Sequence, residues 1–223
     1  MKITGQDLHG LLSLADQVCP TDVAFATCCT DCEPSTLFST EFEVIKPAVP
    51  SRQAEFAAGR LAARAALAQL GQAPVAIVAG SGREPLWPEG FVGSISHCRT
   101  VAIAAAAKSN SQLGFIGIDI EETEPLDSDL WDSICSSNER ELFQLGTGAG
   151  RQAKIIFSIK EAVYKAQYPA TGRLLDFRDV DILSIDADGH FVACVSSQNF
   201  TAINGHFAVS HEFIIAFAAA GLR

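Results

Sequence analysis

Two short segments hold residue types that could share a metal ion and a phosphate. The first is GFIGIDIE, residues 114–121. On a β-strand, alternate side chains face opposite ways, so Ile116, Ile118 and Ile120 turn one way and Gly117, Asp119 and Glu121 the other. At a rise of about 3.3 Å per residue, the two carboxylates stand roughly 7 Å apart. That spacing suits one hard cation held directly or through water, and Mg²⁺ favours a few carboxylates with waters and phosphate oxygens. Gly117 would leave room for a ligand to approach. The plain alternative is an exposed edge with its acids outward. The second segment is IIFSIKEAVYKA, residues 155–166. Ile155, Ile159, Ala162, Val163 and Ala166 make an apolar helical stripe, and Lys154, Ser158, Glu161 and Lys165 a polar stripe beside it. Glu161 and Lys165 are four apart and share a face. As a surface ion pair they contribute a few tenths of a kcal/mol. As a functional pair they offer a base or metal ligand together with a cation for a leaving phosphate.

Basic residues are scarce: 16 Lys and Arg against 26 Asp and Glu, a formal charge of −10. This balance argues against a broad nucleic-acid surface and makes the placement of each cation informative. Arg60 and Arg64 lie four apart in GRLAAR, Arg83 sits in the Gly/Pro turn SGREP, and Ser96-His97 precedes an apolar run. Singly, each has an ordinary reading as a solvated arginine or a structural histidine. Together with the acids they describe a Mg²⁺ site beside a polyanion site. Phosphoryl-type transfer needs both, the metal for charge and the cations for position.

The elements that must position these residues alternate between helix and strand. Helices are expected at 5–17, at 53–70 (capped by Ser51, closed at Gly71), in acidic 127–145, and at 151–167, ended by Tyr168-Pro169. Strands are expected at 22–30, 37–45, 75–79, 101–107, 114–121, 180–185, 190–196, 206–210 and 212–219, with DADG (186–189) as a hairpin turn. Ser96-His97 and Ser210-His211 each lead into a run alternating large aliphatics with Ala, and each follows a long helix. The pattern suggests an α+β fold of two similar helix-plus-antiparallel-sheet halves related by a pseudo-twofold, residues 1–112 and 113–223. No stretch approaches the roughly 20 apolar residues of a membrane span. The start of the chain lacks a signal peptide's apolar core, so a cytoplasmic location is expected. TCCTDC (Cys28, Cys29, Cys32) has no second pair at zinc spacing, and reduced cysteines in a strand and turn are expected.

GIDIE and, further on, FSIKEAVYK resemble the paired signatures of phosphopantetheinyl transferases, G-[IV]-D-x-E and [FW]-[SC]-x-K-E-[AS]-x-x-K. Gly117, Asp119, Glu121, Phe157, Ser158, Lys160, Glu161, Ala162 and Lys165 fill every signature position. SSNERELF looks like the intervening S-x-x-E element, with Glu139 as its acid. AGRLAARAAL, GREPLWP and GSISHC resemble the larger, monomeric, surfactin-synthase-associated branch, and within it the enterobactin-synthase-associated enzymes of siderophore assembly. The resemblance implies a pseudo-dimeric fold with coenzyme A between the halves. Its 4′-phosphopantetheine arm would pass to a serine of an apo acyl, peptidyl or aryl carrier protein, releasing 3′,5′-ADP, in siderophore or other nonribosomal peptide or polyketide synthesis. Asp119, Glu121 and Glu161 would hold Mg²⁺. Glu161 would be the base for the serine, and Lys165 would serve the departing phosphate. Arg60, Arg64, Arg83, Ser96 and His97 would hold the adenosine 3′-phosphate and ribose, with a structural ion pair as the alternative for Arg64.

Two rival readings use the same residues: a Mg²⁺-dependent nucleotide pyrophosphohydrolase, and a non-catalytic carrier-binding module. The absence of a G-x-x-x-x-G-K-[ST] loop argues against ATP use. Since carriers of this class and this chain are both acidic, docking should rest on an apolar platform within 127–150, with Phe143 and Leu145 as exposed contacts.

Overall fold

The computed structural model describes residues 5–110, 113–146, 149–195 and 202–221. Its layering follows from strand β3 (Val101–Lys108), VAIAAAAK, in which successive side chains serve different cores. Val101, Ile103, Ala105 and Ala107 join the core between two sheets, while Ala104 and Ala106 meet helix α3 (Pro50–Gln69). The helix answers with Ala62, Ala63 and Ala66, all fully buried, so two alanine surfaces bring backbone against backbone.

The first sheet has the order β1–β3–β2, with β1 at Val23–Cys29 and β2 at Phe91–His97, all antiparallel. The second has β4 (Phe115–Glu122), β8 (Phe213–Ala220), β7 (Ile203–Val209), β6 (His190–Val195) and β5 (Val180–Ile185), in that order. Helix α6 (Gly150–Thr171) covers its outer face and packs mainly on β4 and β8. Ile116, Ile118 and Ile120 of β4 fill the core between the sheets. Helix α1 (Gly5–Val18) packs against β7 and β8 as well as β1, so the N-terminal segment touches the second sheet.

Each sheet follows a similar path: a strand, a long helix, then antiparallel strands (β2 and β3 in the first sheet, β5 to β8 in the second) of which the last pairs back onto the first. The likeness extends to buried polar groups. Glu41, on short helix α2 (Ser39–Ile45), accepts from the Phe38 amide, the Arg64 guanidinium of α3 and the Ile77 amide, at 2.8–2.9 Å. Two short helices, α4 (Trp131–Ile134) and α5 (Ser137–Leu142), lie between β4 and α6. From α5, Glu139 accepts from the Ser136 amide at 2.8 Å, from Lys160 of α6 at 2.8 Å and from the Ile182 amide of β5 at 3.0 Å. Both carboxylates are fully buried. Each half thus carries a helix-capping acid paired with a cation of its long helix and an amide of the segment that follows.

Several sequence expectations give way here. Residues 37–45 alternate like a strand, yet 39–45 are helical. The Glu41 carboxylate caps that helix, and its burial against Arg64 is a tertiary term that alternation does not contain. Helix α3 starts at Pro50, its preset φ suiting the first helical position, with Val49 rather than Ser51 as the cap. Residues 75–79 are extended but form only the bridge Ala79–Pro85. The Ile77 amide and carbonyl are taken by Glu41 and Arg60 side chains instead. Pro169 lies inside the last turn of α6, where it removes one amide, and the helix ends at Gly172 with φ +62°. Strand β2 goes unrecognised in the sequence because FVGSISH mixes Gly and Ser with only three large apolar residues. Phe143 and Leu145 pack on the C-terminal core rather than standing exposed, and Phe143 lies beside Phe207. Leu130, 46% exposed, is the open apolar side chain of that stretch. Of the Gly-rich loop 146–150, residues 147 and 148 lie outside the described residues, as do 111 and 112 at the boundary between halves.

Candidate active site

The two sheets meet where β2 runs beside β4, and a cavity of about 620 Å³ opens along this seam. Its lining includes Arg60, Arg83, Ser96, His97, Asp119, Glu121, Glu161 and Lys165. Every candidate residue from the sequence is there except Arg64. That side chain is committed to Glu41 and the Thr36 carbonyl, which is the structural ion pair kept as its alternative.

Gly117 brings the acids and the helix together. A Cβ there would run into the carbonyl oxygen of Ala162 and the amide nitrogen of Ala166. The space expected for a ligand is therefore filled by α6, and this close approach carries Glu161 and Lys165 to the acids of β4. Asp119, 2% exposed, is the hub. Its Oδ1 accepts from Lys165 Nζ at 2.6 Å and Ser96 Oγ at 2.8 Å, and its Oδ2 from Ser158 Oγ at 2.9 Å. Lys165 also donates to Ser96 Oγ at 2.9 Å. Lys154 donates to Glu121 at 3.1 Å. All four residues of the polar stripe thus face one acidic centre. Lys160, a signature residue, instead points into the protein and donates to the Ile134 and Phe177 carbonyls as well as to Glu139.

The centre has oxygen donors and uncompensated negative charge. Burial, and after it the charge of Asp119, pushes the Glu121 carboxyl above the usual carboxylate range, with Lys154 opposing. Burial does the same to Glu161, partly offset by Lys165 and reinforced by Asp119. Two carboxyls raised by burial and by the charge of a third carboxylate beside them fit a hard divalent cation, which would favour their ionised forms.

The opposite wall is cationic. Arg60 is 5% exposed, donates from Nε to the Ile77 carbonyl at 2.6 Å and lies over the Phe56 ring. Burial lowers its pKa to about 10, with Glu41 opposing. Arg83 is held at φ +69°, a left-handed conformation that a non-glycine residue rarely takes, inside a turn closed by Gly80 and Glu84. Tyr168 of α6 packs on Gly82 of the same turn, so the second half helps place Arg83. His97 Nε2 lies 2.5 Å from Arg52 Nη1, and Glu55 holds the same Nη1 at 3.0 Å. A guanidinium only donates, so Nε2 must be the acceptor and this ring nitrogen unprotonated. Burial, then Arg52, lowers the His97 pKa accordingly. Arg52 and Phe56 are cavity residues that the sequence reading missed. Helical spacing from Arg60 (i−4 for Phe56, i−8 for Arg52) was the available signal. His211, the repeat mate of His97, sits exposed in the β7–β8 turn, with its carbonyl accepting from Thr123.

Residues 40–107 match the family described as 4′-phosphopantetheinyl transferase N-terminal domain, and residues 115–218 match the 4′-phosphopantetheinyl transferase superfamily. The chain is 36% identical over 196 residues to the 4′-phosphopantetheinyl transferase Svp of Streptomyces mobaraensis, covering 81% of this chain and 77% of that one. It is 32% identical over 206 residues to the transferase PptT of Mycobacterium tuberculosis, covering 87% and 90%. It is 40% identical over 139 residues to enterobactin synthase component D of Salmonella typhimurium, covering 60% and 56%. The chain belongs to the 4′-phosphopantetheinyl transferase superfamily, and the relatives covering most of its length are themselves transferases. Enzymes of this family take coenzyme A as substrate and act on carrier proteins. The transferase expectation holds, and neither the hydrolase nor the non-catalytic reading finds a counterpart among these relatives. No helix among the described residues is long and apolar enough to cross a membrane.

Proposed function

We propose that the seam cavity moves the 4′-phosphopantetheine arm of coenzyme A onto a carrier-protein serine and releases 3′,5′-ADP. The observation that carries this reading is the joining of Asp119, Lys165 and Ser96 in one hydrogen-bonded unit, with Glu121 and Glu161 beside it and Arg60, Arg83 and His97 opposite. Asp119, Glu121 and Glu161 would hold Mg²⁺, which when bound supplies charge neutralisation at the pyrophosphate. Lys165 carries a proton within reach of the same region and serves the departing phosphate. Glu161 accepts no hydrogen bond among the described residues, which leaves its carboxylate available to the carrier hydroxyl. Ser158 fixes the Asp119 carboxylate from behind. Arg60, Arg83 and His97 position the 3′-phosphate and ribose, and Arg52 joins them through His97. One chain supplies both walls, so residues 1–112 and 113–223 act as two halves of a monomer. We place the enzyme in the cytoplasm, serving siderophore or other nonribosomal peptide or polyketide synthesis, a reading supported by its similarity to the Salmonella protein named enterobactin synthase component D.

Two experiments test this. His97→Ala is expected to raise the KM for coenzyme A about tenfold or more, the worth of one charge-assisted phosphate contact, with a smaller penalty for dephospho-coenzyme A. Equal penalties with both coenzymes would assign His97 a structural role. Aryl and peptidyl carriers are expected to be modified faster than an acyl carrier of fatty-acid synthesis. The reverse order would remove the proposed pathway and leave the chemistry standing.

A further inference from the structure

Away from the cavity, TCCTDC concentrates nucleophilic side chains that the transfer reaction does not use. Strand β1 ends at Cys29, and the chain turns through Thr30 and Asp31. The turn returns Cys32 to the strand, where its Sγ lies 3.0 Å from Cys28 Sγ and donates to the Cys29 carbonyl at 3.1 Å. Cys29 sits on the opposite face of the strand. Cys28 is half-buried against the alanine core beneath α3.

We infer that Cys28 and Cys32 are a reversible thiol–disulfide site, oxidised by small-molecule disulfides such as glutathione disulfide. The sulfurs must close by about 1 Å to reach the 2.03–2.05 Å of an S–S bond. The segment that has to move is a short turn at the end of a strand. Burial, then the hydrogen bond with Cys32, pushes the Cys28 thiol up to about 12, which makes it the poorer attacking group, and the first attack falls to Cys32 on the turn. Its sulfur bonds to one half of the disulfide, and the other half leaves as a thiol carrying the Cys32 proton. The Cys28 sulfur then attacks Cys32 Sγ, and the second half leaves as a thiol with the Cys28 proton. Two protein thiols are oxidised, one small disulfide is reduced to two thiols, and nothing else is consumed.

The site sits on the cavity's framework. Thr30 donates from its amide to the Thr100 carbonyl at 3.1 Å and from its hydroxyl to the Arg99 carbonyl at 2.7 Å. It thereby clips the cysteine turn to the hairpin turn that follows His97. Beyond Cys32 the chain runs on to α2, whose last residues line the cavity. A covalent closure here fixes the segment joining these two parts of the wall.

The test uses the full chain in its Cys29→Ser form, which makes the assignment unambiguous. The protein is equilibrated in glutathione buffers from reducing to oxidising, quenched in acid, alkylated, digested and mapped by mass spectrometry. The expected result is a species lighter by two hydrogens, carrying an intramolecular Cys28–Cys32 link that dithiothreitol reverses. The link is expected to be absent when Cys32→Ser is added. Full alkylation of every thiol at the most oxidising ratio, accumulation of glutathione adducts alone, or a link to Cys98 would overturn the assignment.

Discussion

Glu161→Gln is expected to slow transfer about a thousandfold or more while leaving thermal unfolding unchanged. The carboxylate stands in the cavity and accepts no hydrogen bond among the described residues. Its replacement by an amide therefore orphans nothing in the fold. What is lost is a metal ligand and a base, whose combined worth at the transition state is about 4 kcal/mol, or a factor of a thousand. Asp119→Ala is expected to lose at least as much activity but to carry a stability cost as well. It strips the acceptor from Lys165, Ser96 and Ser158 at a position that is itself only 2% exposed. Asp119→Asn separates the two effects, because it keeps the shape and removes the charge. Circular dichroism melts run beside initial rates check all three variants. Near-normal turnover in Glu161→Gln, or in Asp119→Asn, would remove these residues from the chemistry.

The second large effect falls on stability. Glu139→Ala is expected to cost about 3–5 kcal/mol, because it leaves the Lys160 ammonium buried without its counter-ion. The side chains of the pair are 1% and 0% exposed. Glu139 also satisfies the amides of Ser136 and Ile182, so its loss unties α5 from β5. At roughly 2–4 °C per kcal/mol for a chain of this size, the midpoint should fall by about 10 °C. The double variant Glu139→Leu with Lys160→Met is expected to recover only the part of the loss that comes from the unpaired charge, because the Ser136 and Ile182 amides and the Ile134 and Phe177 carbonyls stay without their side-chain partners. Calorimetry on the three proteins decides the matter. A Glu139→Ala protein as stable as wild type would contradict a structural role for this signature-element acid.

The acidic side of the candidate site was legible because it depends on local periodicity. Lys154, Ser158, Glu161 and Lys165 share a helix face, and Asp119 and Glu121 share a strand face. Two such faces need only one packing contact to meet, and Gly117 supplies it. The first half was harder to read. Arg64 looked like a ligand because its partner, Glu41, lies in a segment whose alternation imitates a strand. Arg52 escaped notice because the helix was expected to begin one residue after it. Ile77 has its backbone groups satisfied by the side chains of Glu41 and Arg60, an arrangement no period in the sequence reveals. Glu139 and Lys160 were visible as motif residues, but a motif does not distinguish a residue that touches substrate from one that closes the core beneath it.

The most direct test is the mass of the carrier. The chain is incubated with coenzyme A, Mg²⁺ and an apo carrier protein, beside matched reactions with excess chelator and with Glu161→Gln. The wild-type reaction with Mg²⁺ is expected to add one phosphopantetheine group to each carrier and to release 3′,5′-ADP in equal amount, while both controls leave the carrier unmodified. A carrier that stays apo while coenzyme A is cleaved, or full modification by Glu161→Gln, would contradict the assignment of this cavity as the site of transfer.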